Sequence, residues 1–528
     1  MHFRWLKYSR VFVSLFFLLL FFLMLVDFTG HFPRSNLKSI TWFQFIPSFL
    51  TFKNLLSFAG VGFLVIILLS LLYGRVYCST VCPLGIYQDV VSWLRRKLSH
   101  RKRIFRFGKP YNILRYSILI LSVLVFLTGN ILLLNLLDPY SNFGRIMVSL
   151  VKPVAAEINN FLAKALASRS IFWLSPVELR AVNPLSLIYP SAILIFVTWI
   201  SFFHGRLYCN TICPVGTFLG FLSRYSLFKI RIDKVTCDRC GKCSSSCKSQ
   251  CINIKEKDVD FSRCVGCFNC LSVCPSLSIQ YRNSWFPKKR ENQDFEMVKT
   301  NSSKREFVIK SVAFVAGITG LSKIASAQEK ISSSRKPSAL AEIKTHPVSP
   351  PGSLSIKHFT ENCTACQLCV SACPSHVLKP SVTEYGILGF LQPHMDYHAS
   401  YCNYECTVCT EICPTKAIQP LTVEQKKVTQ IGQVHFIREN CIVYTDNTAC
   451  AACNEHCPTQ AVKMVPYKDD LNIPQVDTSI CIGCGACEHA CPARPYRAIY
   501  VDGNTVHQIA EKPKEEKLQE NAPEEFPF

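Results

Sequence analysis

The sequence lacks the motifs with which many redox enzymes hold an organic cofactor or haem. Its 528 residues contain no C-x-x-C-H for covalent haem, no Gly-rich nucleotide-binding motif, no flavin signature and no histidine pairs in its apolar segments. No hydrolase or transferase site is present either. A self-sufficient reductase is therefore disfavoured.

Acidic residues are also scarce, since 36 Asp and Glu stand against 58 Lys and Arg, a formal net charge of +22. A basic excess can indicate nucleic-acid binding, but no recognition motif or aromatic–basic platform accompanies it here. The Lys and Arg residues cluster beside apolar segments, as in the cytoplasmic loops of membrane proteins. We therefore predict the lipid bilayer, and no nucleic acid, as a partner.

Cysteine, by contrast, is abundant, with 29 residues. Most fall in the spacing C-x2-C-x2-C-x3-C or a near variant, which is the spacing of bacterial ferredoxins, where three thiolates hold one [4Fe-4S] cluster and the fourth holds its neighbour. Disulfide frameworks belong mainly to short secreted domains, and zinc sites usually show paired knuckles or histidine partners. Iron–sulfur ligation is the favoured interpretation.

The first ferredoxin pattern lies at residues 237–275. Cross-over ligation predicts one cluster on Cys237, Cys240, Cys243 and Cys274, and a second on Cys264, Cys267, Cys270 and Cys247. Lys248 replaces the usual proline and an extra Cys251 follows. Cys247 fits the spacing better, with Cys251 as the alternative ligand.

A second set of sixteen cysteines follows a Ser/Pro-rich linker and is enough for four more clusters. Its groups are Cys363, Cys366, Cys369, Cys373; Cys402, Cys406, Cys409, Cys413; Cys441, Cys450, Cys453, Cys457; and Cys481, Cys484, Cys487, Cys491. Cys441 is the least certain ligand, because eight residues separate it from Cys450. The first group could share ligands with the fourth, or neighbouring groups could pair. Six clusters are predicted in total.

Four apolar segments, 11–28, 55–73, 113–136 and 187–203, are long enough or nearly so to cross a bilayer. A cleaved signal peptide at residues 1–28 is the alternative for the first, although no small-residue cleavage site follows. The loop at 74–112 is more basic than those at 29–54 and 138–186. This places the N-terminus, that loop and the residues just after 204 in the cytoplasm.

A C-x3-C-P motif follows the second and the fourth apolar segment in nearly the same sequence context. Cys78 and Cys82 lie in GRVYCSTVCPLG, and Cys209 and Cys213 lie in GRLYCNTICPVG. The repeat predicts that the four thiols meet at one membrane face. They could hold a seventh cluster, act as a thiol/disulfide relay, or be purely structural.

Residues 303–328 are predicted to be a twin-arginine-like export signal. Lys304-Arg305 precedes a short apolar run that ends in Ala325-Ser326-Ala327. The twin-arginine route carries folded domains, which suits a domain that acquires its clusters in the cytoplasm. An amphipathic linker helix is the alternative, and the signal could be cleaved or kept as a fifth anchor.

The predicted fold is an α-helical membrane domain of four transmembrane helices, with the optional fifth anchor, plus two α+β bacterial ferredoxin-like domains. The expected divisions are 1–230 for the membrane domain, 231–285 for the cytoplasmic ferredoxin, 286–302 for a linker, 303–328 for the signal or anchor, 329–353 for a second linker, 354–505 for the periplasmic ferredoxin and 506–528 for a disordered tail.

On these motifs the chain resembles two families joined end to end. Residues 1–285 look like the NapH-type membrane polyferredoxins, and residues 303–505 resemble the NapG/MauM-type exported ferredoxins. The resemblance implies a bacterial inner-membrane protein that passes electrons from the quinone pool toward a periplasmic reductase or redox protein. Lys304 and the fusion of the two halves depart from the family pattern.

The leading functional hypothesis is electron transfer from menaquinol, ubiquinol or a cytoplasmic donor to a periplasmic oxidoreductase, with the clusters carrying the redox chemistry and no catalytic residue of the chain itself. A quinol dehydrogenase activity is compatible with it. A maturation factor that supplies electrons to a metalloenzyme is the alternative. A quinol pocket at 137–140 with Arg145 competes with an ordinary interhelical turn there.

Overall fold

The computed structural model describes residues 4–27, 34–55, 60–98, 105–177, 183–284 and 340–512. The predicted linker at 286–302 and the predicted signal at 303–328 lie outside these residues. The described chain has three parts, which are a helical domain (4–227), a first ferredoxin domain (228–284) and a second ferredoxin domain (340–512).

The helical domain has thirteen helices in its described residues. They are α1 Arg4–Val26, α2 Arg34–Trp42, α3 Phe45–Leu55, α4 Gly62–Tyr73, α5 Tyr77–Thr80, α6 Pro83–Leu98, α7 Asn112–Leu127, α8 Leu132–Leu137, α9 Pro139–Ile146, α10 Lys152–Ala167, α11 Pro184–His204, α12 Leu207–Thr211 and α13 Pro214–Ser223. A π-helical segment, Met147–Val151, joins α9 to α10 without a break.

Three helical stretches are long and apolar enough to cross a membrane by length and composition. They are Trp5–Val26, Pro139–Ala167 and Pro184–His204. The predicted segments at 55–73 and 113–136 correspond to shorter helices. The first contains α4, and the second is divided into α7 and α8 by a break after Leu127. Pro139–Ala167 falls in a region predicted to be a loop. Its polar side chains lower its mean hydropathy to 1.2, so the sequence pattern does not indicate a membrane-spanning helix there.

The first ferredoxin domain is closed by an antiparallel pair that joins its two ends. Strand β1 Phe228–Ile232 pairs with β4 Ile279–Asn283, and the short β2 Ile252–Asn253 pairs with β3 Asp258–Val259. Two one-turn helices, α14 Lys242–Ser246 and α15 Asn269–Val273, each contain the third cysteine of a motif. Ile230, Ile232 and Ile279 form the apolar core on which the cysteine loops rest.

The second ferredoxin domain repeats this architecture twice. Its helices are α16 Ile356–Asn362, α17 Leu368–Ala372, α18 Val408–Ile412, α19 Val423–Val428, α20 Ile442–Thr445, α21 Ala452–Glu455 and α22 Ala486–Ala490. Its strands are β5 Leu378–Pro380, β6 Pro393–Met395, β7 Thr429–Phe436, β8 Val462–Lys468, β9 Leu471–Val476 and β10 Ile499–Ile509. Three antiparallel pairs result, which are β5–β6, β8–β9 and β7–β10.

The second ferredoxin domain extends beyond both of its predicted boundaries. Residues 340–353, expected to be linker, pack against it, because Val348 is buried and Lys344 forms an ion pair with the buried Glu488. At the other end β10 continues to Ile509, four residues into the predicted tail, and pairs with β7. Residues 513–528 lie outside the described chain.

Candidate functional site

The first ferredoxin domain holds two groups of cysteines around two small enclosed spaces. Cys237, Cys240, Cys243 and Cys274 line one of them, in the cross-over arrangement expected from the spacing. Burial raises the pKa of the Cys243 thiol to about 11, so that an electropositive iron is needed to hold it as a thiolate. This group carries the exposed Cys240 and has the readier access to solvent.

The second space is lined by five cysteines, which are Cys247, Cys251, Cys264, Cys267 and Cys270. The sulfurs of Cys247 and Cys251 are 3.5 Å apart, in van der Waals contact. A hydrogen bond from Cys251 lowers the pKa of Cys247 to about 7 and raises that of Cys251 in return. Cys247 is therefore the better thiolate of the two, and both side chains reach the site.

In the second ferredoxin domain the structure brings neighbouring groups together, first with second and third with fourth. Helix α17 packs against α18, and α21 packs against α22. Cys441, Cys450, Cys453 and Cys491 line one enclosed space, and Cys457, Cys481, Cys484 and Cys487 line another. Burial raises the pKa of Cys453 and of Cys484 to about 12. The eight residues between Cys441 and Cys450 contain α20 and leave Cys441 in its group.

The two remaining groups follow from the electrostatic neighbours of their buried thiols. Cys413 lies beside Cys363, Cys366 and Cys369. Cys373 lies beside Cys402, Cys406 and Cys409. The amide of Cys402 also donates to the carbonyl oxygen of Cys484 at 3.0 Å, which links the two halves of the domain.

The four groups thus form a series. The group of Cys366 touches the helical domain, the group of Cys402 follows, then that of Cys484, and the group of Cys453 lies last. A series of this kind places each site beside the next, which is the arrangement for moving electrons one site at a time.

The two C-x3-C-P motifs meet in the interior of the helical domain. Cys78, Cys82, Cys209 and Cys213 are each at most 4% exposed and lie close enough for their thiols to interact electrostatically. We call these four residues the central site. Gln88 Nε2 donates to the Cys209 sulfur at 3.2 Å, and the Gly216 amide donates to the Cys213 sulfur at 3.3 Å.

The central site lies between the first ferredoxin domain and the end of α8. Gly205 approaches the carbonyl oxygen of Lys248 in the first ferredoxin domain, yet Tyr208, three residues later, points its hydroxyl toward Leu137 at the end of α8. After Cys213, α13 returns, and Ser223 Oγ donates to the carbonyl oxygen of Phe261 in the first ferredoxin domain. Each motif therefore forms the inner turn of a short helical hairpin.

A buried charge cluster joins the helical domain to the first ferredoxin domain. Asp89 pairs with Arg10 and Arg206 at 2.8 Å each and with Lys248 at 3.2 Å. Lys248 is the residue that replaces the expected proline after Cys247, and its ammonium group lies near Cys267. The departure from the ferredoxin pattern is thus explained by its ion pair with Asp89.

The segment considered as a quinol pocket has a structural role in the described chain. Asp138 caps α9 by accepting from the Ser141 amide at 2.9 Å. Arg145 is fully buried and donates to the carbonyl oxygens of Thr364 and Ala365 in the second ferredoxin domain, at 3.0 Å each. No sequence pattern indicated this contact, because its partner lies more than 200 residues away.

Comparison with protein-family models matches four of the cysteine-bearing segments. A model of a 4Fe-4S binding domain matches residues 56–102 and 188–234, which contain the central site. A second model with the same description matches residues 356–379, and a 4Fe-4S dicluster domain matches residues 447–494. No solved structure matches the chain.

Three relatives share between a quarter and a third of their aligned residues with the chain. An uncharacterized protein of Methanocaldococcus jannaschii is 28% identical over 222 residues, which are 41% of this chain and 68% of the relative. The ferredoxin-type protein NapH of Haemophilus influenzae is 28% identical over 225 residues, 40% of this chain and 63% of the relative. The methylamine utilization ferredoxin-type protein MauM of Methylobacillus flagellatus is 32% identical over 148 residues, 27% of this chain and 62% of the relative.

The expected resemblance to NapH-type and MauM-type proteins is confirmed by these relatives. The matched domains also confirm that the chain carries ferredoxin 4Fe-4S domains. Together they identify an iron–sulfur electron-transfer protein.

Proposed function

We propose that this iron–sulfur electron-transfer protein conducts electrons across a membrane, from quinol or a cytoplasmic donor to a redox partner on the opposite side. The observation that carries the proposal is the placement of α1. Leu6, near its start, packs against the core of the first ferredoxin domain. The carbonyl oxygen of Leu25, near its end, accepts a hydrogen bond from Ser371 of the second at 2.7 Å.

The two contacts are nineteen residues apart along one helix, or about 28 Å at 1.5 Å per residue. This is close to the ~30 Å thickness of a bilayer's hydrocarbon core. The basic loop supports the same orientation, because Gly108 is hydrogen-bonded to Gln250 and Arg263 of the first ferredoxin domain. We therefore assign the first ferredoxin domain to the cytoplasm and the second to the periplasm of a bacterial inner membrane.

The central site would bridge the interval between the two ferredoxin domains. Its four thiols fit an iron–sulfur cluster by their chemistry, since they are buried together and receive donors from Gln88 and Gly216. Fully buried Arg75 and Arg206 supply positive charge beside it. A [4Fe-4S] cluster, when bound, accepts and releases one electron at a time. Six such clusters would occupy the ferredoxin domains, and a seventh the central site.

Each of the proposed clusters would be held by one of the spatial groups of cysteines described above. In the first ferredoxin domain Cys247 is favoured over Cys251, because its pKa is lowered. Residues 303–328 would act as the export signal that places the second ferredoxin domain in the periplasm. A maturation factor for a metalloenzyme remains the second candidate function, since buried cysteine pairs also occur in thiol relays.

Two measurements test the proposal on the full chain under anaerobic conditions. Replacement of Cys78, Cys82, Cys209 and Cys213 by serine should remove about four irons per chain, as expected for one [4Fe-4S] cluster. In proteoliposomes, a menaquinol analogue or an impermeant cytoplasmic-side reductant should reduce the second ferredoxin domain, as followed by EPR. The four-serine variant should fail to do so.

Unchanged iron in that variant would refute the central cluster. Equal reduction of the second ferredoxin domain in the variant and the unmodified protein would refute the route through it. If neither reductant reduces any cluster, but deletion of the gene depletes metal centres in another enzyme, the maturation function is correct.

A further inference from the structure

We propose that the second ferredoxin domain is a fixed partner of the helical domain, bound through its own non-covalent interface and not dependent on the peptide that connects them. The interface surrounds the entry group of cysteines, Cys363, Cys366, Cys369 and Cys413. The side of the helical domain that makes it is here called the docking face. It consists of Thr51, Asn54, Asn135, Gly144, Arg145, Ser149 and Lys152.

Arg145 is the anchor of this face. Its Nε donates to the carbonyl oxygen of Ala365 and its Nη2 to that of Thr364, both at 3.0 Å. Within the helical domain the same guanidinium donates to the carbonyl oxygen of Asn135 at 2.8 Å and to Asn142 Oδ1 at 3.2 Å. A planar guanidinium with five N–H groups can donate to all four of these acceptors at once, whereas the ammonium group of lysine has only three N–H groups.

The remaining donors meet the loops on either side of the same group. Lys152 Nζ donates to the carbonyl oxygen of Ser371 at 2.7 Å, and Ser149 Oγ donates to Gln367 Oε1 at 3.0 Å. Thr51 and Asn54 donate to the carbonyl oxygens of Pro414 and Thr415, at 2.8 and 3.1 Å. Five of these six acceptors are main-chain carbonyls within two residues of a cysteine, so the docking face recognises the shape of the ligand loops.

Close packing accompanies these hydrogen bonds. A Cβ atom added to Gly144 would lie 2.3 Å from the carbonyl oxygen of Cys366, a distance that no side chain tolerates. Tyr189 stacks edge-on against Phe390, with ring centroids 6.0 Å apart. Tyr140, 1% exposed, joins the core of the helical domain to that of the second ferredoxin domain. The interface is therefore closely packed and buried at its centre, unlike that of a loosely tethered domain.

A consequence concerns residues 285–339, which lie outside the described chain. If the interface is sufficient, cleavage after Ala327 would leave the same complex as an uncut chain. The proposal goes beyond the proposed electron route and does not depend on it, because binding can be measured without any electron transfer.

The test uses the full chain with its clusters and a site-specific protease sequence inserted between residues 300 and 335. After cleavage in detergent, the two fragments should co-elute on size exclusion at the volume of the uncut protein. Separation of the unmodified fragments would overturn the proposal. Electron transfer between the ferredoxin domains can fail without affecting this result, so the two proposals fail independently.

Variants locate the interface. Arg145→Met combined with Lys152→Met should raise the dissociation constant of the cleaved fragments at least tenfold. Gly144→Ala adds only one methyl group and should also raise this dissociation constant. The matched control is Arg438→Met, which removes an exposed guanidinium that lies over Tyr444 and Tyr467 of the second ferredoxin domain. If uncut variants keep their cluster absorbance and elution volume, but cut variants stay as tightly associated as the control, the assigned docking face is wrong.

Discussion

Arg75 Nη2 lies 3.0 Å from the carbonyl oxygen of Cys209, so the arginine of one C-x3-C-P motif binds the cysteine turn of the other. The contact is reciprocal, because Arg206 Nη1 lies 2.7 Å from the carbonyl oxygen of Cys78. The glycine of each motif makes room for the exchange. A Cβ on Gly85 would lie 2.9 Å from Arg206 Nη1, and one on Gly216 would lie 2.9 Å from Arg75 Nη2. The repeat thus encodes two interlocked halves of one site.

Replacing Arg75 by methionine should therefore disrupt the central site. The change leaves the Cys209 carbonyl and Asn210 Oδ1, which now accept from Arg75 at 3.0 and 2.8 Å, without this donor in a buried position. Unpaired buried polar groups cost about 1–3 kcal/mol each. We expect a loss of about four irons per chain, the content of one cluster, and a lower thermal midpoint.

Two further variants make that result specific. Arg75→Lys keeps the charge but loses the fork geometry and should recover only part of the iron. Lys97→Met, on the exposed end of α6, should match the unmodified protein in both readings. Full iron content in Arg75→Met would show that the reciprocal contact is dispensable.

Cys247 and Cys251 offer a second test, because two sulfurs 3.5 Å apart cannot each hold a different iron of the same cluster. The lowered pKa of Cys247 predicts that Cys247→Ser reduces the iron content or alters the EPR signal of that cluster, whereas Cys251→Ser leaves both unchanged. Iron analysis and EPR of the two single variants, prepared in parallel, decide between them. The opposite pattern would make Cys251 the ligand.

The cysteine spacings predicted the ferredoxin domains well because the ligand motif is local. Cys237, Cys240 and Cys243 fall within seven residues, so the chain has little choice in how to group them. The pairing of neighbouring groups in the second ferredoxin domain was left open. The pairing depends on the antiparallel β7–β10 and β8–β9 pairs. The register between strands that are distant in the sequence cannot be predicted from either strand alone.

Other features could not be predicted from the sequence because they arise only when distant segments meet. In the sequence Lys248 is only a departure from the ferredoxin motif. In the structure it forms an ion pair with Asp89, which also pairs with Arg206. Pro139–Ala167 was predicted to be a loop, since Arg145 and Lys152 interrupt its apolar pattern. Both residues turn out to serve the second ferredoxin domain. The polar residues that obscured the helix are those that bind its partner.

His507 should make the stability of the second ferredoxin domain depend on pH. Burial lowers its pKa to about 4, and its Nε2 lies 2.8 Å from Ser349 Oγ. The unfolded chain, with a pKa of about 6.5, then binds more protons than the folded chain, so stability falls as the pH drops from about 6.5 toward 4. By pH 5 the loss from this group is about 2 kcal/mol.

The variant His507→Gln keeps a hydrogen-bonding partner for Ser349 but cannot titrate. Thermal midpoints at pH 7 and pH 5, followed by the near-UV signal of the second ferredoxin domain, should differ less in this variant than in the unmodified protein. Acid lability of the clusters affects both proteins equally and cancels in the comparison. An identical pH dependence in the two would exclude His507 as the group responsible.

The cross-over grouping in the second ferredoxin domain predicts which cysteine substitutions act on the same cluster. Cys363 and Cys413 belong to different motifs but to one spatial group, whereas Cys363 and Cys373 share a motif and lie in different groups. Cys363→Ser with Cys413→Ser should therefore remove about four irons, no more than the worse single variant. Cys363→Ser with Cys373→Ser should remove about eight, because two clusters each lose a ligand. Iron and sulfide analysis of the three single and two double variants distinguishes the arrangements, since ligation within each motif would reverse the two double-variant results.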